Sequence, residues 1–229
     1  MDVSGIARLI GEPARAAMLD ALLSGQALAA GELARAAGVS AATASEHLGR
    51  LRGGGLVDVV RAGRHRYYRL AAPEVAEVLE ALALLGSARP VRSLRESRTA
   101  QAMATARTCY DHLAGRVGVA VCDALVSRTA LVAGGDGYLL TAHGEALLGD
   151  LGVPVGAARE SRRRFARPCL DFTERRPHLA GALGAAVCDR LLELRWLVPP
   201  ASGGRVLRLT DAGRHGLAES LGITEVPAA

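Results

Sequence analysis

The chain has 229 residues, of which 50% are apolar and only 3% aromatic, and its 28 basic and 23 acidic side chains give a formal charge of +5. This length allows one large domain or two small ones, and the apolar share excludes a disordered chain. A basic surplus of this size is compatible with a polyanionic partner, although it is modest.

No apolar run approaches the roughly 18 residues that a membrane span requires, and the first residues, 1–4, lack the basic start of an export signal. Four cysteines, at positions 109, 122, 169 and 188, are too few and too scattered for a secreted disulfide framework. The sequence therefore predicts a cytoplasmic protein with reduced thiols and no membrane partner.

Two helices and a turn are predicted near the amino terminus. Pro13 opens the first helix and Gly25 ends it, because proline suits a first helical turn and glycine suits a stop. A second helix is predicted over about Ala30–Ala37. It is followed by the tight turn Gly38-Val39-Ser40, in which Ser40 is placed to cap the next helix.

The third predicted helix, about Ala41–Arg52, has the pattern of a helix with one buried face. Ala44, Leu48 and Leu51 recur at helical spacing and predict that face. The residues left on or near the open side are small or polar, and they are Ala42, Thr43, Ser45, Glu46 and Arg50. Side chains of this kind can approach the edges of DNA bases.

A basic hairpin is predicted next, with strands over Leu56–Val60 and Arg66–Leu70. Its tip carries Arg61, Arg64, His65 and Arg66, which core packing does not explain. Charges on a projecting ribbon beside a helix-turn-helix are suited to phosphate contacts.

These motifs resemble the arsenical-resistance repressor (ArsR) family of bacterial winged helix-turn-helix regulators. The resemblance covers about residues 5–86 and rests on the helix S-x-x-T-x-S-x-H-L-x-x-L, which starts at Ser40, and on G-R-x-R-Y-Y-R-L, which starts at Gly63. It implies a homodimer on a palindromic double-stranded operator, which represses until an effector weakens binding. It also implies that Ser40, Thr43, Ser45, His47 and Arg50 face the major groove and its phosphates, while Arg64 and Arg66 reach the DNA backbone.

The chain departs from that family where its metal sensors often carry their ligands. Neither the helix before the turn nor the predicted helix after the hairpin holds a cysteine or histidine. Glu74, Glu77 and Glu80 share a helical face, but carboxylates alone indicate a solvated stripe more than a transition-metal site. Effector control is therefore expected elsewhere.

The rest of the chain contains an internal repeat. Residues 112–123 recur 66 positions later as residues 178–189, with dense identity. We interpret residues 1–88 as the DNA-binding and dimerisation domain, 89–106 as a connecting helix or linker, and 107–229 as a duplicated effector-binding domain with halves 107–155 and 156–226. The predicted fold class is mainly α with short β-hairpins (α+β).

Each half is predicted to form a helix, a hairpin and a helix. The hairpins pair Ala130–Val132 with Gly137–Leu140 and Trp196–Val198 with Arg205–Leu209, and Thr141 and Thr210 are expected to cap the helices that follow. Two similar halves tend to pack about a pseudo-twofold axis, so we expect the effector pocket in a groove at their seam.

The candidate effector residues lie at matching places in the two halves. Cys109 and Cys169 each stand two residues after an arginine and two before an aspartate, and a nearby cation and a helix start would both favour the thiolate. The predicted effector set is Cys109, Asp111, His112, Cys169, Asp171 and His178. The two thiols would bind a thiophilic metal, a metalloid or a reactive sulfur species, and the histidines would add nitrogen ligands.

Several alternatives stay open at this point. The repeated R-x-C-x-D would also suit a helix-entry motif without a sensing role. The groove at the seam would also suit an organic ligand. A constitutive or protein-gated regulator would need neither thiol sensing nor an organic ligand. Cys122 and Cys188 lie within apolar helices and are predicted to be core residues. The arginines of 159–167 indicate a solvated helix face, and Asp171–Glu174 has the spacing of a capping box.

A thiol-dependent enzyme is the competing class, with Cys109 or Cys169 as nucleophile and His112 or His178 as base. Nucleophilic sites are usually single and asymmetric, whereas ligand grooves between repeats tolerate duplicated groups. We therefore predict a regulator and not an enzyme, with no cofactor beyond the metal effector.

Overall fold

A computed structural model describes residues 3–63, 65–86, 93–135, 137–200 and 204–225, with the side chain of Arg95 outside the description. The chain divides into two compact units, Met1–Leu82 and Ala83–Ala229, called here the amino-terminal and the carboxy-terminal unit. None of the helices in the described ranges combines the length and the apolar character needed to cross a bilayer.

The amino-terminal unit contains the predicted helix-turn-helix and hairpin. Its elements are α1 Val3–Ile10, α2 Pro13–Leu22, β1 Leu28–Ala29, α3 Ala30–Ala37, α4 Ala41–Gly53, β2 Val57–Ala62, β3 His65–Leu70 and α5 Pro73–Leu85, the last of which runs across the unit boundary. The sequence patterns missed α1 and β1, because α1 has no buried residue and β1 has only two residues.

Local hydrogen bonds explain where α2 and α4 begin. The Glu12 carboxylate accepts hydrogen bonds from the backbone N–H groups of Ala14 and Arg15, at 3.2 and 2.8 Å, around Pro13 in the first turn. Ser40 Oγ accepts from the N–H of Thr43 at 3.2 Å, which confirms the predicted cap of α4.

A small leucine-rich core holds α2, α3 and α4 together. The side chains that solvent does not reach are those of Met18, Leu19, Leu33, Ala44, Leu48 and Leu51, all 0% exposed. The three residues predicted to form the buried face of α4 are among them. The opposite face of α4 is consequently left for solvent or a partner.

The β2–β3 hairpin is an antiparallel ribbon that carries β1 on its β3 edge, in the order β1-β3-β2. Its base is anchored by Val57 and Leu70, which pair directly and are buried. Towards the tip the side chains become exposed, and Arg61 lies directly opposite Arg66.

The carboxy-terminal unit consists of helices and two-stranded hairpins. Its elements are α6 Leu94–Thr105, β4 Arg107–Cys109, β5 His112–Ala114, α7 Gly115–Ser127, β6 Leu131–Gly134, β7 Gly137–Leu140, α8 Ala142–Asp150, α9 Val155–Glu160, β8 Arg167–Leu170, β9 Pro177–Ala180, α10 Gly181–Glu193, β10 Leu197–Val198, β11 Arg208–Leu209 and α11 Asp211–Leu221.

The order hairpin, helix, hairpin, helix occurs twice in this unit. The predicted second hairpins are confirmed by the pairings β6–β7 and β10–β11, and Thr141 and Thr210 cap α8 and α11 through the N–H groups of Gly144 and Gly213, each at 3.0 Å. The sequence analysis missed the leading hairpins β4–β5 and β8–β9, because the turns that join their strands contain no glycine. The interpretation of the repeat as a duplication stays a prediction.

The two halves interlock across one shared core. Helix α7 packs against strand β9, α10 packs against β5, and β5 lies beside β9. The core includes Leu113, Leu125, Leu179, Leu183 and Leu191, each at most 4% exposed and drawn from both halves. Each half therefore completes the packing of the other.

Three local predictions are wrong. Residues 171–176 form a turn between β8 and β9 and do not start a helix, so Asp171–Glu174 is not a capping box. The arginines at 162–164 lie in a bent segment after α9, since β8 begins at Arg167, and do not form a helix face. Glu80 is only 4% exposed, so the acidic residues of α5 are not a uniformly solvated stripe.

Candidate functional sites

The first candidate site is the open face of α4 in the amino-terminal unit. Ser40, Ala42, Ser45, Glu46 and Arg50 are exposed, and Thr43 is half-buried beside Ser40. Glu46 and Arg50 form an exposed ion pair at 2.6 Å, one helical turn apart. The side chains on this face are therefore small or polar. An anionic partner can replace Glu46 as the ion-pair partner of Arg50.

His47 is not on that face. Its side chain is 14% exposed, and its Nδ1 lies 3.4 Å from Arg15 Nη1 and 3.7 Å from Glu12 Oε2, at the start of α2. The structure therefore does not place His47 with the other predicted DNA contacts, and its major-groove role stays a prediction; in this structure the residue contacts the start of α2. The sequence held the signal, because His47 lies three residues after Ala44 and four before Leu51, on the buried side of the helix.

The tip of the β2–β3 hairpin is basic and exposed. Arg61 and Arg66 are both exposed and face each other across the two strands. Like charges directly opposite one another destabilise a hairpin, so this pair is not explained by folding. Arg64, the third predicted contact on this hairpin, lies outside the described residues.

The second candidate site is a set of four side chains in the carboxy-terminal unit, called here the Cys-His cluster, of which three are buried and Cys169 is half-buried. Cys109 pairs in register with His112 on β4 and β5, and Cys169 pairs with His178 on β8 and β9. One ligand atom from each of the four lies within 4.8 Å of the others. The two sulfurs are 3.9 Å apart and the two imidazole rings stack at 5.1 Å between centroids.

Most of the cluster is shielded from solvent, although Cys169 is half-buried. Cys109, His112 and His178 are 2%, 4% and 0% exposed. Within the described parts of the chain, His112 Nε2 and both ring nitrogens of His178 have no hydrogen-bond partner. Buried polar atoms without partners are costly and call for a specific explanation.

An aspartate stands behind each histidine. Asp111 Oδ1 lies 3.2 Å from His112 Nδ1, and Asp171 Oδ2 lies 3.7 Å from His178 Nδ1. Although burial opposes its charge, hydrogen bonds from His112 and then Arg163 lower the pKa of Asp111. Burial opposes the charge of His112, but the hydrogen bond to Asp111 and the nearby Cys169 thiol outweigh it and raise the pKa of His112.

Asp171 is the centre of a buried network that spans both halves. It accepts hydrogen bonds from Arg107 Nη2 at 2.9 Å and from the Gly115 N–H at 2.7 Å, at the start of α7. Arg107 and Asp171 are both 0% exposed. Despite the burial, the charge of Arg107 and the Thr173 hydrogen bond hold the pKa of Asp171 far below its usual range.

The pKa values of three of the four thiols are shifted, and in different directions. The hydrogen bond with Cys109, and then the imidazoles of His112 and His178 beside the thiol, hold the pKa of Cys169 well below its usual range. Burial raises the pKa of Cys122 and raises that of Cys188 to about 12. Both of those are 1% exposed, so their predicted core placement is confirmed.

Cys109 and Cys169 lie on strands β4 and β8 and not at the entry of their own helices, as the sequence had suggested. Arg107 points its guanidinium at Asp171. Sequence reasoning also missed Arg163, which holds Asp111 by two hydrogen bonds and which the arginine run had suggested to be solvated.

The Cys-His cluster lies at the seam between the halves. An open cleft of about 510 Å³ lies along α9 and α10, where it is lined by small side chains together with Arg163, Asp189 and Arg190. The cleft contains none of the four cluster residues. The structure thus brings together four of the six predicted effector residues, with the two aspartates directly behind them.

Comparison with known proteins agrees with the amino-terminal site. A helix-turn-helix domain family matches residues 10–60. The HTH-type transcriptional regulator YdfF of Bacillus subtilis (strain 168) is 39% identical over 222 residues, which cover 97% of this chain and 98% of the relative.

Solved structures also match the amino-terminal part, and two of them serve as examples. NolR from Sinorhizobium fredii is 31% identical and covers 38% of this chain and 85% of its own, with a TM-score of 0.34. The homodimeric winged helix-turn-helix domain of Mb0332 from Mycobacterium bovis is 32% identical and covers 37% of this chain and 77% of its own, with a TM-score of 0.34.

The relative that spans almost the whole chain is a transcriptional regulator, and the helix-turn-helix match falls on α2 to β2, beside the exposed face of α4. The chain is accordingly a regulator and not an enzyme. The match to this relative over almost the whole chain shows that the chain belongs to the helix-turn-helix transcriptional regulators.

Proposed function

We propose that this regulator is a dimeric repressor, which holds its operator through α4 and the β2–β3 hairpin and releases it when an effector occupies the Cys-His cluster. The single observation that carries the DNA part is the exposed Arg61–Arg66 pair beside the open face of α4. The repressor direction follows from the family resemblance.

The chemistry of the amino-terminal unit supports contact with a phosphate backbone. The facing arginines repel each other in the free hairpin, and phosphates on both sides remove that repulsion. On α4, the short side chains of Ala42 and Ser45 allow close approach to base edges, while Arg50 can exchange Glu46 for a phosphate.

Exposed apolar side chains in the amino-terminal unit support a dimer. Val3 and Ile6 on α1 are 69% and 36% exposed, and Val78 and Leu82 on α5 are 48% and 44% exposed. Each pair recurs at helical spacing and so forms a stripe on its helix. A second copy of the chain would cover these stripes, since apolar surface of this kind marks association sites.

The Cys-His cluster supports effector control from the carboxy-terminal unit. Its sulfurs and imidazole nitrogens converge from both halves, so a bound ligand would tie β4–β5 to β8–β9. A ligand shifts a conformational equilibrium only as far as it favours one state. A ligand held by one cysteine and one histidine from each half would favour the state in which the two halves are close together.

The DNA part is tested by Arg61→Ala/Arg66→Ala. If each arginine neutralises one phosphate, the slope of log Kd against log salt should fall by about 1.8, and affinity at 0.15 M salt should fall by roughly 30-fold. The loss should be nearly the same for operator and non-operator duplexes, because phosphate contacts carry no sequence information. Fluorescence anisotropy over a salt series measures both quantities.

The matched control is Arg208→Ala/Arg214→Ala, which removes the same charge from exposed positions on β11 and α11 in the other unit. It should leave the salt slope within experimental error of the unchanged protein. An unaltered slope in the Arg61/Arg66 variant, or equal losses in both variants, would contradict the proposed contact surface.

A further inference from the structure

We propose that Cys109, His112, Cys169 and His178 bind one thiophilic divalent metal ion of the zinc and cadmium class, as a closed tetrahedral site of two thiolates and two imidazoles. This inference deepens the proposed function, on which its regulatory meaning rests, by naming the chemical class of the effector. It concerns residues that lie together in the carboxy-terminal unit.

The sulfur separation fits a shared metal ion. Two thiolates about 2.3 Å from a tetrahedral zinc ion stand about 3.8 Å apart, and the Cys109 and Cys169 sulfurs are 3.9 Å apart. A disulfide would require them to approach to about 2.05 Å. The hairpins therefore already hold the thiols at the distance that one bridging ion needs.

The surroundings of His112 and His178 suit them to bind a metal ion through a ring nitrogen. Asp111 is placed to accept the Nδ1 proton of His112, which would leave His112 Nε2 as the lone-pair nitrogen, buried and without a partner in the described residues. Asp171 stands at 3.7 Å from His178 Nδ1 in the matching position. A carboxylate behind a ligating imidazole fixes its tautomer and orientation in metal sites.

The carboxylates themselves are kept out of the coordination shell. Asp111 is held by Arg163, and Asp171 is held by Arg107 and the Gly115 N–H. Four ligands remain, two of them sulfur, which favours a soft ion in a closed site over magnesium or calcium. Two thiolates also neutralise a divalent charge, as a buried site requires.

Such a site would join the two halves directly. Each half supplies one cysteine and one histidine from directly paired positions of a hairpin, so all four ligands are needed to close the tetrahedron. Small inward movements suffice, because the ligand atoms already lie within 4.8 Å of one another. The bound ion would therefore stiffen the contact between β5 and β9.

The test is a titration of the reduced full-length protein with Co²⁺, followed by displacement with Zn²⁺. We expect one equivalent to bind, with the visible bands of tetrahedral Co²⁺ and sulfur-to-cobalt charge-transfer absorption from two thiolates, both lost on adding one equivalent of Zn²⁺. Cys109→Ser and Cys169→Ser should each lose at least half of the charge-transfer intensity. The matched control Cys122→Ser, a buried cysteine outside the cluster, should keep the full spectrum.

The spectrum of the unchanged protein decides the question even where a variant fails to fold, because band intensity reports the number of sulfur ligands. Octahedral Co²⁺ bands, or a reduced protein that binds no Co²⁺ and instead oxidises to a Cys109–Cys169 disulfide, would overturn the metal site.

Operator affinity, measured on the same samples, separates this proposal from the function it rests on. The full proposal expects Zn²⁺ to weaken operator binding at least tenfold in the unchanged protein and to leave Cys109→Ser unaffected. A tetrahedral spectrum with unaltered operator affinity would support the site and overturn its role as a switch. Strong operator binding without any tetrahedral spectrum would overturn the metal site and leave DNA binding intact.

Discussion

Replacing Asp171 with alanine is expected to lower the free energy of unfolding of the carboxy-terminal unit by about 3–5 kcal/mol. The reason is that Arg107 would keep its charge while remaining 0% exposed, with its ion-pair partner gone. The same change removes the acceptor for the Gly115 N–H at the start of α7. Urea unfolding followed by circular dichroism measures the loss.

A second variant separates charge from volume. Asp171→Asn preserves the shape of the side chain but leaves the Arg107 charge uncompensated, so its stability should fall nearly as far. The control is Asp123→Ala, which breaks an ion pair with Arg176 of 2.7 Å whose side chains are 42% and 61% exposed. Exposed pairs contribute at most about 1 kcal/mol, and a comparable loss in the Asp123 and Asp171 variants would refute this account of the network.

Gly181→Ala is expected to destabilise the same unit by about 3 kcal/mol, from the left-handed backbone and from overpacking. Gly181 has a φ of 86°, and a Cβ there would stand 2.6 Å from the Arg164 carbonyl oxygen and 2.8 Å from that of Phe165. Those two carbonyls accept the N–H groups of Ala182 and Leu183 in the first turn of α10. The new methyl group would therefore strain the start of the helix that follows His178.

Gly149→Ala is the matched control, because a Cβ at that position of α8 meets nothing within 4 Å. Alanine has the higher helix propensity, so this variant should gain up to about 1 kcal/mol. Thermal and urea unfolding of the two variants side by side give the comparison. Equal stabilities would show that the close approach at Gly181 is not rigid.

Helices α2 to α4 and the β2–β3 hairpin of the amino-terminal unit could be predicted because each has a local signal. Ser40 caps α4, the core residues Ala44, Leu48 and Leu51 follow a helical period, and the two strands of the hairpin flank a basic turn. The sequence motif groups His47 with the DNA contacts, whereas that period puts the residue on the buried side.

The Cys-His cluster could be predicted only in part. The repeat indicated that Cys109 and Cys169 occupy matching places, but not that they approach to 3.9 Å, which depends on how the halves pack. The leading hairpins had no glycine signal, since Tyr110 takes the positive φ of 60° in the β4–β5 turn. The pairing of Arg107 with Asp171 joins residues far apart in sequence, and no local pattern encodes it.

The packing of α7 on β9 and of α10 on β5 sets the timing of folding during synthesis. Strand β9 starts about 50 residues after α7 ends, so at ribosomal speeds α7 waits about 3–10 s for its partner strand. Contacts between distant parts of a chain also slow refolding, because loop closure must precede them. The nascent first half therefore exposes its apolar helix for seconds, and the unit should acquire protease resistance only once residues up to α10 have emerged.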